Sequence, residues 1–117
     1  MHKVIFDTDP GIDDAMALLF LAASPEVELI GITTTFGNGT IDTTTRNALY
    51  LAERFAIAAP VARGAGAPLV GEPADPPDFV HGGNGLGDVV LPAAIGRQPD
   101  PRPAHRLIID LIRANPG

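Results

Sequence analysis

The sequence has no cysteine among its 117 residues, which excludes a disulfide framework, a thiolate zinc site and a cysteine nucleophile and leaves the redox compartment open. Positive charge is scarce too: 8 Lys and Arg stand against 14 Asp and Glu, for a formal charge of −6. With no basic excess to neutralise phosphates or coat an anionic surface, neither nucleic acid nor a membrane is expected as a partner. The longest apolar run, Ala15 to Ala23, is too short to span a bilayer. Met1-His2-Lys3 leads straight into a β-like run and then into acids, without the apolar stretch and cleavage site of a secretory leader. A cytoplasmic location is the resulting expectation.

What is present reads as one globular unit. With 45% hydrophobic and 19% charged residues, 13 Gly and 12 Pro, the composition lies below the level that marks low-complexity disorder. Lys3-Val4-Ile5-Phe6 predicts a strand, stopped at Asp7-Thr8-Asp9-Pro10-Gly11 where Pro and Gly forbid a central strand from continuing. Ile12 to Ala23 favours helix, with Asp13 and Asp14 in its first turn and Ser24-Pro25 beyond its end; being apolar nearly all round, it is expected to be buried. Val27 to Thr35 is a second β-rich run, continuous enough in apolarity to be covered on both faces.

A second helix is predicted to start near Asp42 as its cap and to turn Ala48, Leu51, Ala52 and Phe55 inward. Pro60-Val61-Ala62 is a weaker third strand. Gly64 to Pro103, rich in Gly and Pro, is expected to be mostly loop, a length that points to function. Ala104, Leu107, Ile108, Leu111 and Ile112 then mark a last amphipathic helix. Alternating strands and helices predict an α/β fold, a Rossmann-like open parallel sheet of βαβ units. The last helix runs out at Asn115-Pro116-Gly117, turn residues that normally lead into another strand, so the sheet is expected to be incomplete on its C-terminal side.

Chemistry concentrates in the first turn. Asp7, Asp9, Asp13 and Asp14 lie within one strand–turn–helix segment; period-two alternation sets Asp7 and Asp9 on one side, and Asp13 and Asp14 crown the helix, so all four are expected to converge. Crowded anions repel unless one is protonated or a cation lies between them, and hard oxygen donors suit Ca²⁺ or Mg²⁺. A single Asp at a helix start is more often a cap or a dipole partner; four together favour a metal site over a solvated acidic turn. In open parallel sheets ligands bind beyond the carboxyl ends of strands, where this segment and Gly37-Asn38-Gly39 both fall. Arg46 and Asn47 are read as helix-surface or interelement contacts, and His2 and His105 as ordinary element-end residues.

Asp7-Thr8-Asp9-Pro10-Gly11-Ile12-Asp13-Asp14-Ala15 resembles the N-terminal signature of the inosine–uridine-type nucleoside hydrolases in residue type and spacing. Ile32-Thr33-Thr34-Thr35-Phe36-Gly37-Asn38, then Thr45-Arg46-Asn47-Ala48, then His81-Gly82-Gly83-Asn84-Gly85-Leu86-Gly87 are similar to that family's later blocks, in order. The resemblance runs the whole chain. It implies hydrolysis of the N-glycosidic bond of ribonucleosides to free base and ribose, with Ca²⁺ as cofactor and a small-molecule nucleoside as partner. By the same resemblance Asp9 is the general base and also touches the metal, Asp14 is the main Ca²⁺ ligand, Asp13 accepts a ribose hydroxyl, Asn38 holds the sugar and the base Asp, and Asp7 braces the loop. His81 corresponds to a position near the substrate, although a lone loop histidine is as readily a loop support. A carboxylate base and neighbouring anions suit an oxocarbenium-like transition state.

The resemblance further implies that residues 1–117 form the N-terminal part of a single nucleoside-hydrolase-like α/β domain. The family's remaining part supplies further Ca²⁺ ligands, ribose contacts and a histidine linked to leaving-group protonation, so the isolated chain is expected to be inactive. Base preference is not legible, and a homo-oligomer is compatible with everything read so far. A haloacid-dehalogenase-like phosphotransferase using Asp7, Asp9 and Mg²⁺ is the alternative, but its motif continues Gly-Thr rather than Pro10-Gly11 and has no use for Asp13-Asp14. A non-catalytic metal- or ribose-binding remnant is the other.

Overall fold

A computed structural model describes residues 1–117. Three parallel strands, β1 (His2–Thr8), β2 (Val27–Thr34) and β3 (Val61–Ala62), lie in the order β1-β2-β3. Parallel neighbours need long crossovers, and helices supply them: α1 (Ile12–Ala23) joins β1 to β2, and α2 (Ile41–Arg54) joins β2 to β3. A single turn, α3 (Asp78–His81), interrupts the long Gly/Pro-rich segment before α4 (Ala104–Ala114). No helix is long and apolar enough to cross a membrane.

The faces of the sheet are filled by different partners. Ile32 and Val61, paired across β2 and β3, join Leu18 of α1 and Ala48, Leu49, Leu51 and Ala52 of α2 in the main core. One residue along, Ala62 faces the other way and meets Ala104 and Leu107 of α4. The alternation of strand side chains thus places α1 and α2 on one face and α4 on the other. Gly31 allows α4 its close approach, since a Cβ there would come 2.6 Å from Leu111 Cδ1.

Three local expectations are corrected. Helix α1 is not buried all round: Leu18 is its one buried residue, while Met16 and Phe20 are 69% and 72% exposed, because a helix on one face of a sheet covers a single stripe. Thr40, not Asp42, caps α2 by accepting from the Thr43 amide at 3.3 Å, and Asp42 sits in the first turn paired with Arg63 at 2.5 Å. Phe55 lies past the end of α2 and is largely exposed, with Arg54 stacked over its ring, so the inward stripe ends at Ala52.

Register brings the functional loops together. Thr8 is the partner of Thr34, so β1 and β2 end side by side and release Asp9–Gly11 and Thr35–Gly39 from the same edge. This is the carboxyl edge of a parallel sheet, where helix N-termini also gather.

Candidate active site

Asp9 is the best-held of the four carboxylates. Its Oδ2 accepts the Asn38 backbone N–H at 2.9 Å, and its own carbonyl accepts from Asn38 Nδ2 at 3.1 Å. The hairpin-like grip depends on Gly37, whose φ of +150° few side-chain-bearing residues adopt and whose missing Cβ would collide with Asp9 Oδ2. Asn38 thus holds Asp9 through both its backbone and its side chain.

Asp14 faces Asp9 from the first turn of α1. Its Oδ2 is buried without a hydrogen-bond partner, and so is Thr8 Oγ1 beside it. Burial, and then the adjoining Asp9 carboxylate, push the Asp14 pKa from 3.8 up to about 6 against the opposing pull of Thr8. A buried carboxylate oxygen with no donor is a standing penalty unless a proton or a cation meets it. The donor set is hard oxygen throughout, which fits Ca²⁺ or Mg²⁺ in chemical type. No group of three or more His, Cys, Asp or Glu side chains gathers tightly enough to hold a metal alone, so Asp9 and Asp14 would need further oxygens.

The other two carboxylates differ: Asp13 is near enough for its charge to add to the rise of the Asp14 pKa, whereas Asp7 does not join the expected convergence of four. Asp7 lies on the opposite strand face and accepts from Thr33 Oγ1 at 2.7 Å, a brace between register partners. Regular alternation ends at Thr8, so it does not carry Asp9 to the side of Asp7. Asp13 is largely exposed, with Oδ1 3.9 Å from His81 Nδ1. His81 is itself buried, and its Nδ1 accepts the Ile12 N–H at 3.1 Å. That bond completes the N-terminus of α1, because Gly11 has no side chain to cap with. An acceptor Nδ1 assigns the proton of the neutral ring to Nε2.

Asn47, read from the sequence as a helix-surface or interelement contact, is the second of these: it is fully buried and bonds to both Pro10 and Asn84. The available signal was helical spacing: Asn47 lies four residues before Leu51, on the inward stripe of α2, where a polar residue needs a partner.

The chain matches, over residues 4–117, the family model described as "Inosine-uridine preferring nucleoside hydrolase". It is 46% identical over 99% of its length to Uridine nucleosidase 1 of Arabidopsis thaliana, and 42% identical over 97% to the inosine-uridine preferring nucleoside hydrolase of Crithidia fasciculata. It covers 34% and 36% of those two proteins, about a third of their length. Among solved structures, a purine-preferring ribonucleoside hydrolase from Gardnerella vaginalis superimposes with a TM-score of 0.88 at 34% identity, over 96% of this chain and 36% of that one. These matches lend no support to the phosphotransferase or the non-catalytic remnant, and Asp7, the nucleophile of the former, is engaged by Thr33. With the acidic loop, the Asn38 grip and the glycine-rich segment all falling inside the matched span, the chain belongs to the inosine-uridine preferring nucleoside hydrolase family.

Proposed function

We propose that the protein carrying this chain hydrolyses the N-glycosidic bond of ribonucleosides, giving the free base and ribose, at the Asp9–Asp14 site. The observation that carries the proposal is the buried, partnerless Asp14 Oδ2 facing an Asp9 carboxylate that the Asn38 amide fixes in place. Asp9 is the general base: one oxygen is held by the backbone, and the carboxylate takes a proton from the water that attacks the anomeric carbon. The C–N bonding electrons leave with the base, which takes up a proton as it departs. Negative charge on Asp13 and Asp14 near the sugar stabilises the oxocarbenium-like state.

Asp9 and Asp14 would hold Ca²⁺, which takes roughly six to eight oxygens and so calls on water and substrate hydroxyls as well. When bound, the cation supplies positive charge that makes a neighbouring water more acidic and orients sugar hydroxyls. Exposed Asp13 would accept a hydrogen bond from a ribose hydroxyl, and Asn38, which holds Asp9, would contribute to the sugar site. His81 turns Nδ1 to the helix and has its Nε2–H for the substrate. The names of the relatives span uridine, inosine and purine nucleosides, which fits a ribose-directed site in this part of the protein and leaves the base class open.

Inosine and uridine hydrolysis, followed by ribose release beside a calorimetric Ca²⁺ titration, tests the proposal in the whole protein. Calcium-dependent ribose release that Asp9→Ala abolishes is the expected result; near-normal turnover in Asp9→Ala overturns it.

A further inference from the structure

The segment from Gly82 to Asp88 has no regular structure, yet it is seated on the acidic loop through one interior side chain. Asn47 of α2 donates from Nδ2 to Pro10 O at 3.1 Å and to Asn84 O at 2.9 Å, which engages both protons of the amide. Its Oδ1 accepts from Arg46 Nη2 at 3.2 Å, and the same nitrogen donates to Asn84 O at 3.2 Å. A fully buried amide whose two protons bridge two separate loops is specific, since an apolar side chain of equal volume would leave the Pro10 carbonyl unpaired and the Asn84 carbonyl with Arg46 alone.

Both loops are shaped to this contact. Gly85 has φ +80°, and a Cβ there would come 2.9 Å from Asn47 Nδ2. Gly11 likewise makes room, for a Cβ would stand 2.6 Å from His81 Nδ1 and 3.0 Å from Asn38 Nδ2. Pro10 follows Asp9 directly, so its carbonyl sets the chain direction between Asp9 and the start of α1. The chain of contacts closes on itself: Pro10 to Asn47, Asn47 to Asn84, and the segment's Gly87 N–H to the carbonyl of His81, the last residue of α3, whose ring returns to Ile12.

We propose that Asn47 is a positioning residue for the Asp9–Asp14 site: it fixes the Pro10 peptide, and couples that setting to the seating of Gly82–Asp88 on the N-terminus of α1. Only the catalytic arm of this inference rests on the nucleoside hydrolase reading; the coupling of the two loops stands on geometry.

Asn47→Asp preserves shape but presents an acceptor to two carbonyls. In the whole protein, native-state amide exchange is expected to show residues 11–14 and 82–88 losing protection together by about tenfold, while 48–52 in α2 keep theirs. The kcat for nucleoside hydrolysis is expected to fall about tenfold with KM changing less than about threefold, as for a loss of base alignment. Loss confined to 82–88, or spread through 48–52, overturns the coupling, as does exchange and turnover like the wild type. Should Asn47→Asp not fold, Gly85→Ala strains the same contact with Asn47 intact; joint loss of protection supports the proposal and unchanged exchange at 11–14 overturns it. A wild-type protein that hydrolyses no nucleoside but shows the joint loss in Asn47→Asp would sink the hydrolase reading and leave the coupling standing.

Discussion

Two aspartates, one ahead of α4 and one in the first turn of α1, meet opposite fates. Before α4, Asp100 accepts from Arg102 Nε and Nη2, each at 2.9 Å, and from the Arg102 amide at 2.9 Å, while Arg102 also reaches Asp110 at 3.2 Å. Bonding to Arg102 lowers the Asp100 pKa to about 2. In the first turn of α1, Asp14 has no arginine, burial leads the causes of its shift, and its pKa rises to about 6. The same side chain is held ionised where its oxygens are matched and is pushed toward the protonated form where they are not. An unmatched carboxylate persists when it is reserved for something that arrives later.

The sharpest way to break the comparison is at the unmatched end. Asp9→Ala is expected to lower nucleoside turnover by about a thousandfold or more, the range of a lost general base, with little loss of thermal stability because it also relieves anionic crowding. Steady-state kinetics and a melting curve on the same sample check both halves. Asp14→Ala should weaken Ca²⁺ first, so that rising calcium partly restores turnover, and should raise the cation-free melting midpoint by removing a buried unpaired oxygen. A variant as active as the wild type at low calcium would remove Asp14 from the proposed metal site.

Titration tests both aspartates together. For Asp14 the folded pKa of about 6 lies above the ordinary 3.8, so the folded state takes up a proton first and the cation-free protein gains stability as pH falls from about 7 to 4. For Asp100 the sign is reversed: its stabilisation is complete above 3.8 and is lost as pH falls through about 2. Melting midpoints measured from pH 7 to 2 in chelator should therefore pass through a maximum near pH 4, and saturating calcium should flatten the upper limb alone. A monotonic fall in chelator would contradict the Asp14 assignment. The smallest effect belongs to Asp100→Asn, which is expected to shift the midpoint at neutral pH by no more than a few degrees, since ion pairs open to solvent contribute little. It should erase the limb below pH 4.

Much of this was open to a reader of the chain. The helix at Ile12–Ala23 and the strand from Val27 follow from local apolar patterning, and the elements alternate as a parallel sheet requires. Spacing marked the four aspartates Asp7, Asp9, Asp13 and Asp14 as one acidic group worth a cation, and only the family resemblance singled out Asp9 and Asp14 among them. What local pattern could not assign is which surface of α1 faces solvent, since Met16 and Leu18 are equally apolar and only packing against Ile32 separates them.

The sequence by itself determined the order of elements, the carboxylates available and their family, because these depend on neighbours within a turn or a strand. The tertiary structure alone decided that Asp7 belongs to Thr33, that Asn47 bridges Pro10 and Asn84, and that His81 completes a helix 69 residues earlier in the chain. Those choices arise when distant segments are brought together and every buried donor must find an acceptor, a condition imposed by the closed fold and not by any stretch of chain within it.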